Sequence, residues 1–389
     1  MTTEADFTEL EKLLKDRDTQ EVCQFLVRRL EQRKQYEELF DARLMQCRQQ
    51  RGLPLLDRTP LDDLPSAVRD HLEADYLAVC QEVGDLLLGQ AEFRRAWMYL
   101  RPCGGQERIK RALAQTVPND ENLEELIELS LYEGIDPARG FQLLLEHHGT
   151  CNAITAFESA MYDRQLQQRQ QVVGVLLHWV HGELLKNLQA DLQPAVADGD
   201  RLLPIQALVS GREEMFKKFT THVDVSHLAA VVRFARISTN SQDCTLAFDL
   251  TEYGRRLHAN LQPPSDPPFV DYFRAHGLFF AAQIGRDEDQ AVDYFRRQAA
   301  ATNLRVDTVI PREVYVTLLA RLGRYDAALR ARAEMIPPEV STTGLAPTLM
   351  ELSRLAGNYD LLLSICQERD DLLGYALARL QARVDAEGP

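Results

Sequence analysis

A short turn recurs along this chain and constrains its fold more than any other feature. In each copy an apolar residue precedes Gly, an aromatic residue follows closely, and a small or apolar residue comes three positions later. The two clear copies are Leu322-Gly323-Arg324-Tyr325 with Ala328, and Ala356-Gly357-Asn358-Tyr359 with Leu362. Glycine permits the tight backbone, and the small residue lets a second helix approach closely. The turn therefore predicts pairs of antiparallel helices.

Looser copies of the turn and the hydrophobic period extend this prediction to most of the chain. The looser copies are Ile284-Gly285 with Ala291 and Phe295, and Leu88-Gly89 with Phe93 and Ala96. Nearly every other segment has the 3.6-residue period of an amphipathic helix. The best strand candidates, Val231-Val232 and Val306 to Ile310, are short. We predict an all-α fold, a helical-repeat solenoid of antiparallel helix pairs.

The composition is that of a folded, acidic protein. Of the 389 residues 45% are hydrophobic and 26% are charged, and the net charge is −15. A negative charge of this size repels nucleic-acid phosphates and anionic membranes. The most apolar run, Val172 to Val180, is half the length that a membrane span requires, and the N-terminus lacks the pattern of a secretory signal. These features predict a cytoplasmic protein that does not act at membranes.

Cysteine usage fits the same compartment. The seven cysteines are scattered, their number is odd, and no two are spaced as Cys-x-x-Cys. A disulfide framework or a zinc knuckle requires a different pattern. We expect reduced thiols, most of them buried as small hydrophobic side chains.

Two long helical stretches raise the question of self-association. One is predicted from Thr19 to Gln50, where Gly52 and Pro54 stop it. The other, from Cys151 to Leu192, is either one helix of about 40 residues or two helices broken near Gln165 to Gln171. Their apolar stripes cover either neighbouring helices of the same chain or a second copy, so a homodimer is one possible assembly.

Proline-bearing segments suggest the domain limits. Connectors are predicted at Arg51 to Pro65 and Gln193 to Pro204, and the segment Gln262 to Pro268 has four prolines within six residues. Such a segment cannot be helical and favours a stiff, extended spacer. We place the main boundary there, which gives N-terminal helices over 1–52, a helical body over 66–262 and C-terminal repeats over 269–385. Within the body, Asp136-Pro137 predicts a helix start and His147-His148-Gly149 predicts its end.

The spacing of the clear turns points to a known repeat. Gly323 and Gly357 are 34 residues apart, and Leu322 to Ala328 resembles the inter-helix turn of tetratricopeptide repeats. The resemblance covers residues 270–370 and, more loosely, 70–115. The family's aromatic and small residues are replaced by Arg312, Val316 and Arg332. Its Lys, Asn and Arg clamp is not recognisable here.

The resemblance implies a concave groove that binds a protein or peptide. In that family the first helix of each pair tends to line the groove, which makes Arg312, Tyr315 and Arg321 the candidate partner-binding residues. The predicted function is that of a non-enzymatic scaffold or adaptor.

A basic segment at 94–111 offers a second candidate surface. It contains Arg94, Arg95 and Arg101 with interleaved aromatic residues, as in some nucleic-acid-binding proteins and regulatory adaptors. A run of acidic residues from Asp120 to Asp136 follows directly. Neighbouring helices of a repeat stack on each other, so we expect the two blocks to neutralise one another. Nucleic acid is an unlikely partner on this reasoning.

The remaining alternative is an all-α enzyme with a pocket in residues 120–260. The His147-His148 pair and the His178/His181 pair, which share a helix face, are the residues that most resemble metal ligands. Adjacent histidines project in different directions on a helix, and the sequence has no recognised metal, phosphate-loop or nucleophile motif. We therefore predict no catalytic residue, metal or cofactor, and treat both pairs as structural.

Overall fold

The computed structural model of the chain describes residues 3–15, 19–55, 65–161, 163–192, 204–217 and 219–387. The regular structure of these residues is helical, apart from one isolated bridge between Asp266 and Phe269. The prediction of an all-α fold is confirmed. The described residues divide into two compact units, 1–147 and 148–389.

The first unit is a series of helices that pack on their neighbours in the chain. They are α1 (Thr3–Lys15), α2 (Thr19–Gln32), α3 (Tyr36–Gln50), α4 (Ser66–Leu88), α5 (Phe93–Leu100), α6 (Gln106–Gln115) and α7 (Leu123–Ile127), followed by a π-helical turn, Glu128–Tyr132. Their apolar faces form one core, with Leu39, Val83, Leu100 and Ile109 fully buried. The predicted helix from Thr19 to Gln50 is wrong in one respect, because a turn at Lys34 divides it into α2 and α3.

The boundary between the two units falls within the sequence range of α8 (Pro137–Ala160), next to a break in the helix at Gly149. Asp136 accepts a hydrogen bond from the Arg139 amide at 3.5 Å, so the predicted start at Asp136-Pro137 is confirmed. Gly149 has φ 80° and ψ 171°, which interrupts the helix where its end was predicted. The unit boundary falls inside the predicted body, 66–262; the three predicted domain ranges themselves stay predictions.

The second unit contains the remaining helices. They are α9 (Leu166–Leu192), α10 (Ile205–Val209), α11 (Val225–Phe234), α12 (Ser241–Gly254), α13 (Tyr272–Gln283), α14 (Glu288–Ala301), α15 (Ile310–Arg321), α16 (Tyr325–Met335), α17 (Leu349–Ala356), α18 (Asp360–Glu368) and α19 (Leu372–Glu387). From α11 onward each helix packs on the next one along the chain. Helices packed in neighbouring pairs are compatible with a helical-repeat fold.

Helix α9 settles the alternatives for the stretch from Cys151 to Leu192. Two helices are present, since α8 ends at Ala160 and α9 begins at Leu166. The apolar stripe of α9, which includes Leu176, Val180 and Leu184, is fully buried against α11 and α12. This stripe therefore belongs to the core of the chain and is not available to a second copy.

The proline-rich segment is not an extended spacer. It is non-helical, as predicted, but Asp266 and Phe269 exchange two backbone hydrogen bonds and close a turn. Phe269 is fully buried, and α12 and α13 on either side pack on each other. The prolines lie in the connection between α12, which ends at Gly254, and α13, which begins at Tyr272. Of the connector at 193–204, only Pro204 lies within the described residues.

The recurring turn has one backbone geometry, found in both units. A residue in the left-handed region follows the first helix, and the next amide donates to the carbonyl five residues earlier, as Arg324 does to Leu319 at 2.9 Å. This is the Schellman C-cap, which satisfies the last carbonyls of a helix. The left-handed residues are Lys34, Ala91, Gly285, Gly323, Gly357 and Asp370. The prediction at Gly89 is wrong in detail, because Gly89 is helical (φ −65°) and Ala91 makes the turn.

Two further predictions can be compared with the structure. All seven cysteines are unpaired thiols, and four of them are buried. None of the helices among the described residues has the length and apolar character that crossing a membrane requires.

Candidate functional site

Helix α15, which carries the predicted groove residues, is one of the most enclosed helices of the second unit. Every residue from Glu313 to Ala320 is buried, although the segment includes a glutamate and a threonine. Helices α13, α14 and α16 cover three of its sides. The fourth side is covered by an irregular segment of the same chain, which we call the strap (residues 337–347).

The strap is held by two polar side chains one turn apart on α15. Glu313 Oε2 accepts hydrogen bonds from the Thr343 amide at 3.1 Å and from the Thr343 hydroxyl at 2.7 Å. The Thr317 hydroxyl lies 3.1 Å from the Leu345 carbonyl oxygen. Two of these three contacts involve the backbone of the strap, so α15 holds an irregular segment largely through its main chain.

Glu313 is incompletely satisfied in this arrangement. The residue is 0% exposed, and its second oxygen, Oε1, has no hydrogen-bond partner among the described residues. A buried carboxylate that lacks part of its hydrogen bonds is destabilising, by about 1–3 kcal/mol for each group left unpaired. The strap therefore forms hydrogen bonds with only one of the two carboxylate oxygens of Glu313.

The other side of the strap faces a cleft. The cleft has a volume of about 350 Å³ and lies between the strap and helices α17 and α18. Its lining includes Pro337, Val340, Leu349, Leu362 and Cys366. The strap thus contacts α15 on one face and borders an open cleft of mixed polarity on the other.

Arg312 is used inside the protein. Its guanidinium donates to the Met335 carbonyl and, at 2.8 Å, to the Thr302 carbonyl. These carbonyls belong to the C-terminal ends of α16 and α14, where a positive charge is favourable. The side chain therefore joins two helix ends.

Arg321 and Tyr315 also face inward. Arg321 donates to the Ser238 carbonyl and to Gln283 Oε1, both at 3.0 Å, and its guanidinium lies 5.5 Å from the ring centre of Phe279. Burial lowers the pKa of Arg321 to about 10. Burial likewise raises the pKa of the Tyr315 hydroxyl. The three predicted groove residues thus stabilise the interior, while Glu313 and Thr317, which the sequence analysis did not select, contact the strap.

The basic segment at 94–111 is paired with carboxylates of the same chain, and three of its cations pair with the acidic run that follows, as predicted. Arg94 pairs with Glu128, Arg101 pairs with Glu133 at 3.4 Å, and Trp97 donates to Glu133 at 3.0 Å. Lys110 pairs with Asp136 of the same acidic run, whereas Arg95 pairs with Glu37 and Glu92 and Arg108 pairs with Asp85, which all precede the basic segment. The structure therefore brings Arg94, Arg95 and Arg101 together with internal carboxylates.

The histidine pairs of the enzyme alternative do not converge on one point. His178 contacts the Gly174 carbonyl at 2.9 Å and Gln242 at 3.2 Å, whereas His181 contacts Asp249 at 3.1 Å. His147 and His148 are exposed at the end of a helical segment. No group of three potential metal ligands from His, Cys, Asp and Glu occurs in the described ranges.

A surface cleft of about 530 Å³ adjoins the predicted enzyme region, between α11 and the proline-rich segment. Its charged side chains have partners, since Arg233 pairs with Glu158 at 2.5 Å and Asp266 pairs with Arg236 at 2.6 Å. Tyr272 donates to the Ala229 carbonyl, and burial raises its pKa to about 12. These groups serve packing, and their geometry assembles no acid–base pair.

His276 is buried among aromatic rings and has polar partners at both ring nitrogens. His276 Nε2 accepts from Arg236 Nε at 2.8 Å, and Nδ1 donates to the Tyr272 carbonyl at 2.7 Å. Burial, and then the Arg236 charge, hold the pKa of His276 well below its usual value. The imidazole is therefore neutral, and both of its ring nitrogens form hydrogen bonds. Its ring stacks on that of Phe269, with 3.9 Å between the ring centroids. The residue fixes α13 to the turn before it.

The chain matches no protein-family model, no curated protein and no solved structure. The contacts of α15 with the strap are therefore the basis for considering function.

Proposed function

We propose that the chain is a non-enzymatic scaffold whose C-terminal helix pairs, a degenerate tetratricopeptide-like solenoid, bind an extended peptide on α15. The observation that carries the proposal is the way in which Glu313 and Thr317 hold the strap. Main-chain hydrogen bonds provide affinity for an extended ligand with little dependence on its sequence. The strap occupies the site in cis, and a peptide of a partner protein replaces it.

The unpaired oxygen of Glu313 supports the replacement. A ligand that keeps the contacts of Thr343 and adds one more donor satisfies both carboxylate oxygens, which the strap does not. Hydrogen bonds to a charged group contribute about 1.5–3 kcal/mol. A segment with a Ser or Thr hydroxyl followed by a basic side chain has the required donors, and a basic ligand suits a protein of net charge −15.

The cleft behind the strap supports the same mechanism. Because the strap borders a space of about 350 Å³, it can leave α15 without separating α15 from the three helices that surround it. The exchange then involves one loop, while the packed helices remain in place.

The test uses a full-length variant in which residues 338–346 are replaced by a Gly–Ser linker of equal length. A fluorescent synthetic peptide with the sequence of residues 337–347 is titrated with this variant, and binding is followed by fluorescence anisotropy. We expect a micromolar dissociation constant for the variant. We expect much weaker binding to the natural chain, in which the strap competes at high effective concentration.

Matched controls locate the binding on α15. Glu313→Gln in the linker variant removes the charged acceptor, and we expect affinity to fall about tenfold or more. A peptide with Thr343→Val should lose affinity to a similar extent. Absence of binding by a linker variant that keeps its helix content and thermal unfolding transition would contradict the proposal, as would binding that Glu313→Gln leaves unchanged.

A further inference from the structure

The cleft beside the strap contains two arginines whose side chains have no partner in the described part of the chain. Arg332 of α16 and Arg369, which directly follows α18, both line this space of about 350 Å³. Nη1 of Arg332 is enclosed by protein and has no hydrogen-bond acceptor. Neither guanidinium forms an ion pair with a described residue. An enclosed charged group without partners is destabilising, so a ligand with acceptor oxygens is favoured here.

Other arginines of the same helices are satisfied within the chain. Arg312 donates to the carbonyls of two helix ends, and Arg321 donates to a carbonyl and to a glutamine side chain. Arg324 pairs with two carboxylates of α14. Arg332 differs from these neighbours, because its guanidinium lies at the cleft and has no acceptor among the described residues.

The carboxylates nearest the cleft are occupied by helix starts. Asp371 Oδ1 accepts the Gly374 amide at 2.8 Å, and Glu351 Oε2 accepts the Thr348 amide at 2.7 Å and the Thr348 hydroxyl at 2.9 Å. Two arginines and one aspartate give the described lining a positive charge, although the protein has a net charge of −15. A local potential of this sign attracts small anions.

The same cleft has an apolar wall. Ile336, Leu349 and Leu362 line it together with the two arginines. Small-molecule sites are clefts of about 300–1,000 Å³ that combine apolar side chains with a few charged or polar groups. The cleft has this composition at the lower end of that range of size. It therefore suits a small molecule that joins an apolar body to an anionic head.

We infer that the cleft binds a small organic oxyanion, whose phosphate or carboxylate head is held by Arg332 and Arg369 while its apolar body packs on the wall. A guanidinium presents parallel N–H donors that match the paired oxygens of either head group. This inference does not depend on the peptide site at α15, since neither Glu313 nor Thr317 lines the cleft.

Titration of the full chain with phenyl phosphate and with benzoate, followed by ligand-observed NMR at constant ionic strength, tests the inference. We expect a millimolar or tighter dissociation constant for at least one of the two, and the tighter one identifies the head group. Inorganic phosphate should bind about tenfold more weakly than phenyl phosphate, because it lacks the apolar body. Benzyl alcohol, which has the body without the charge, should also bind at least about tenfold more weakly.

Single substitutions locate the binding in the cleft. Arg332→Gln and Arg369→Gln each remove one cation and should weaken binding at least about tenfold. Arg330→Gln is the matched control, because Arg330 is exposed on the same helix, about 200° around from Arg332, and does not line the cleft. It should leave the affinity unchanged.

Thermal unfolding without ligand separates binding from a structural role. Arg332→Gln should not lower the unfolding temperature, because the arginine has no partner among the described residues to lose. A clear decrease would assign Arg332 to folding and count against the inference. Failure of both anions to bind at about 10 mM would overturn it. So would equal binding of benzyl alcohol, or binding that both arginine variants leave unchanged.

Discussion

Helices α15 and α19 belong to the same array and follow or precede the same kind of turn, yet their surroundings are opposite. Every side of α15 is covered, and its polar residues Glu313 and Arg321 bond to other parts of the chain. Helix α19 leaves a row of leucines in solvent. The comparison shows that the hairpin turn fixes how one helix follows another in the chain. The segments that pack on a helix then decide whether each of its faces is buried or exposed.

The largest expected difference between the two helices is in the cost of removing a leucine. Leu318 of α15 is 0% exposed, whereas Leu380 of α19 is 59% exposed. Leu318→Ala should lower the free energy of unfolding by about 2–5 kcal/mol because it leaves a cavity. Leu380→Ala should change it by less than about 1 kcal/mol. Urea unfolding of both variants measures the two losses; equal losses would mean that α15 is less enclosed than we describe.

A thiol near Arg321, at the C-terminal end of α15, should make the free energy of unfolding depend on pH in the alkaline range. Cys244, which like Arg321 contacts Gln283 and Ser238, has a pKa raised to about 11 by burial. Its folded pKa is above the ordinary value of 9.0, so the unfolded thiol ionises first and stability falls as pH rises from about 9 through about 11.

The measurement compares the natural chain with Cys244→Ala. We expect the natural chain to lose up to about 2 kcal/mol relative to the variant over that pH range. Exposed Cys151 provides the internal reference. It should react with a thiol reagent at pH 9 while Cys244 in the folded chain does not; equal reaction rates would show that the Cys244 site is accessible.

The turns next to the two helices should respond in opposite directions to single substitutions. Gly323 after α15 and Asp370 before α19 both have positive φ, 70° and 56°. Gly323→Ala introduces a strained side chain and should cost about 1 kcal/mol, whereas Asp370→Gly relieves strain and should stabilise by up to about 1 kcal/mol. Thermal unfolding of both variants tests this. A destabilised Asp370→Gly would indicate that the aspartate side chain stabilises the turn by more than its backbone strain costs.

The smallest effect is expected at an exposed ion pair of the first unit. Arg94 and Glu128 are half-exposed partners in the neutralised basic segment. Arg94→Ala should change the free energy of unfolding by less than about 1 kcal/mol, because exposed ion pairs contribute little. The reversal Arg94→Glu with Glu128→Arg should restore whatever is lost. A loss of several kcal/mol that the reversal does not restore would assign Arg94 a different role.

Much of the local structure follows from local signals. The helical period, the start signal at Asp136-Pro137 and the break at Gly149 predicted helices and their ends, because capping depends on residues within one turn. The charge order along 94–136 likewise predicted that the basic segment is paired internally. The turns at Lys34, Ala91 and Asp370 could not be found in this way, since these residues adopt a left-handed backbone that glycine usually supplies.

The candidate sites required the tertiary structure. From the sequence, Arg312, Tyr315 and Arg321 looked like groove residues because they lie on the first helix of a pair. Only the fold reveals that they face the interior and that Glu313 and Thr317 contact strap residues that lie 30 and 28 positions later in the chain. The sequence by itself determined where helices form and turn, since those choices depend on neighbouring residues. Whether an apolar or a polar face of a helix is covered depends on segments distant in the chain, and only the tertiary structure decided it.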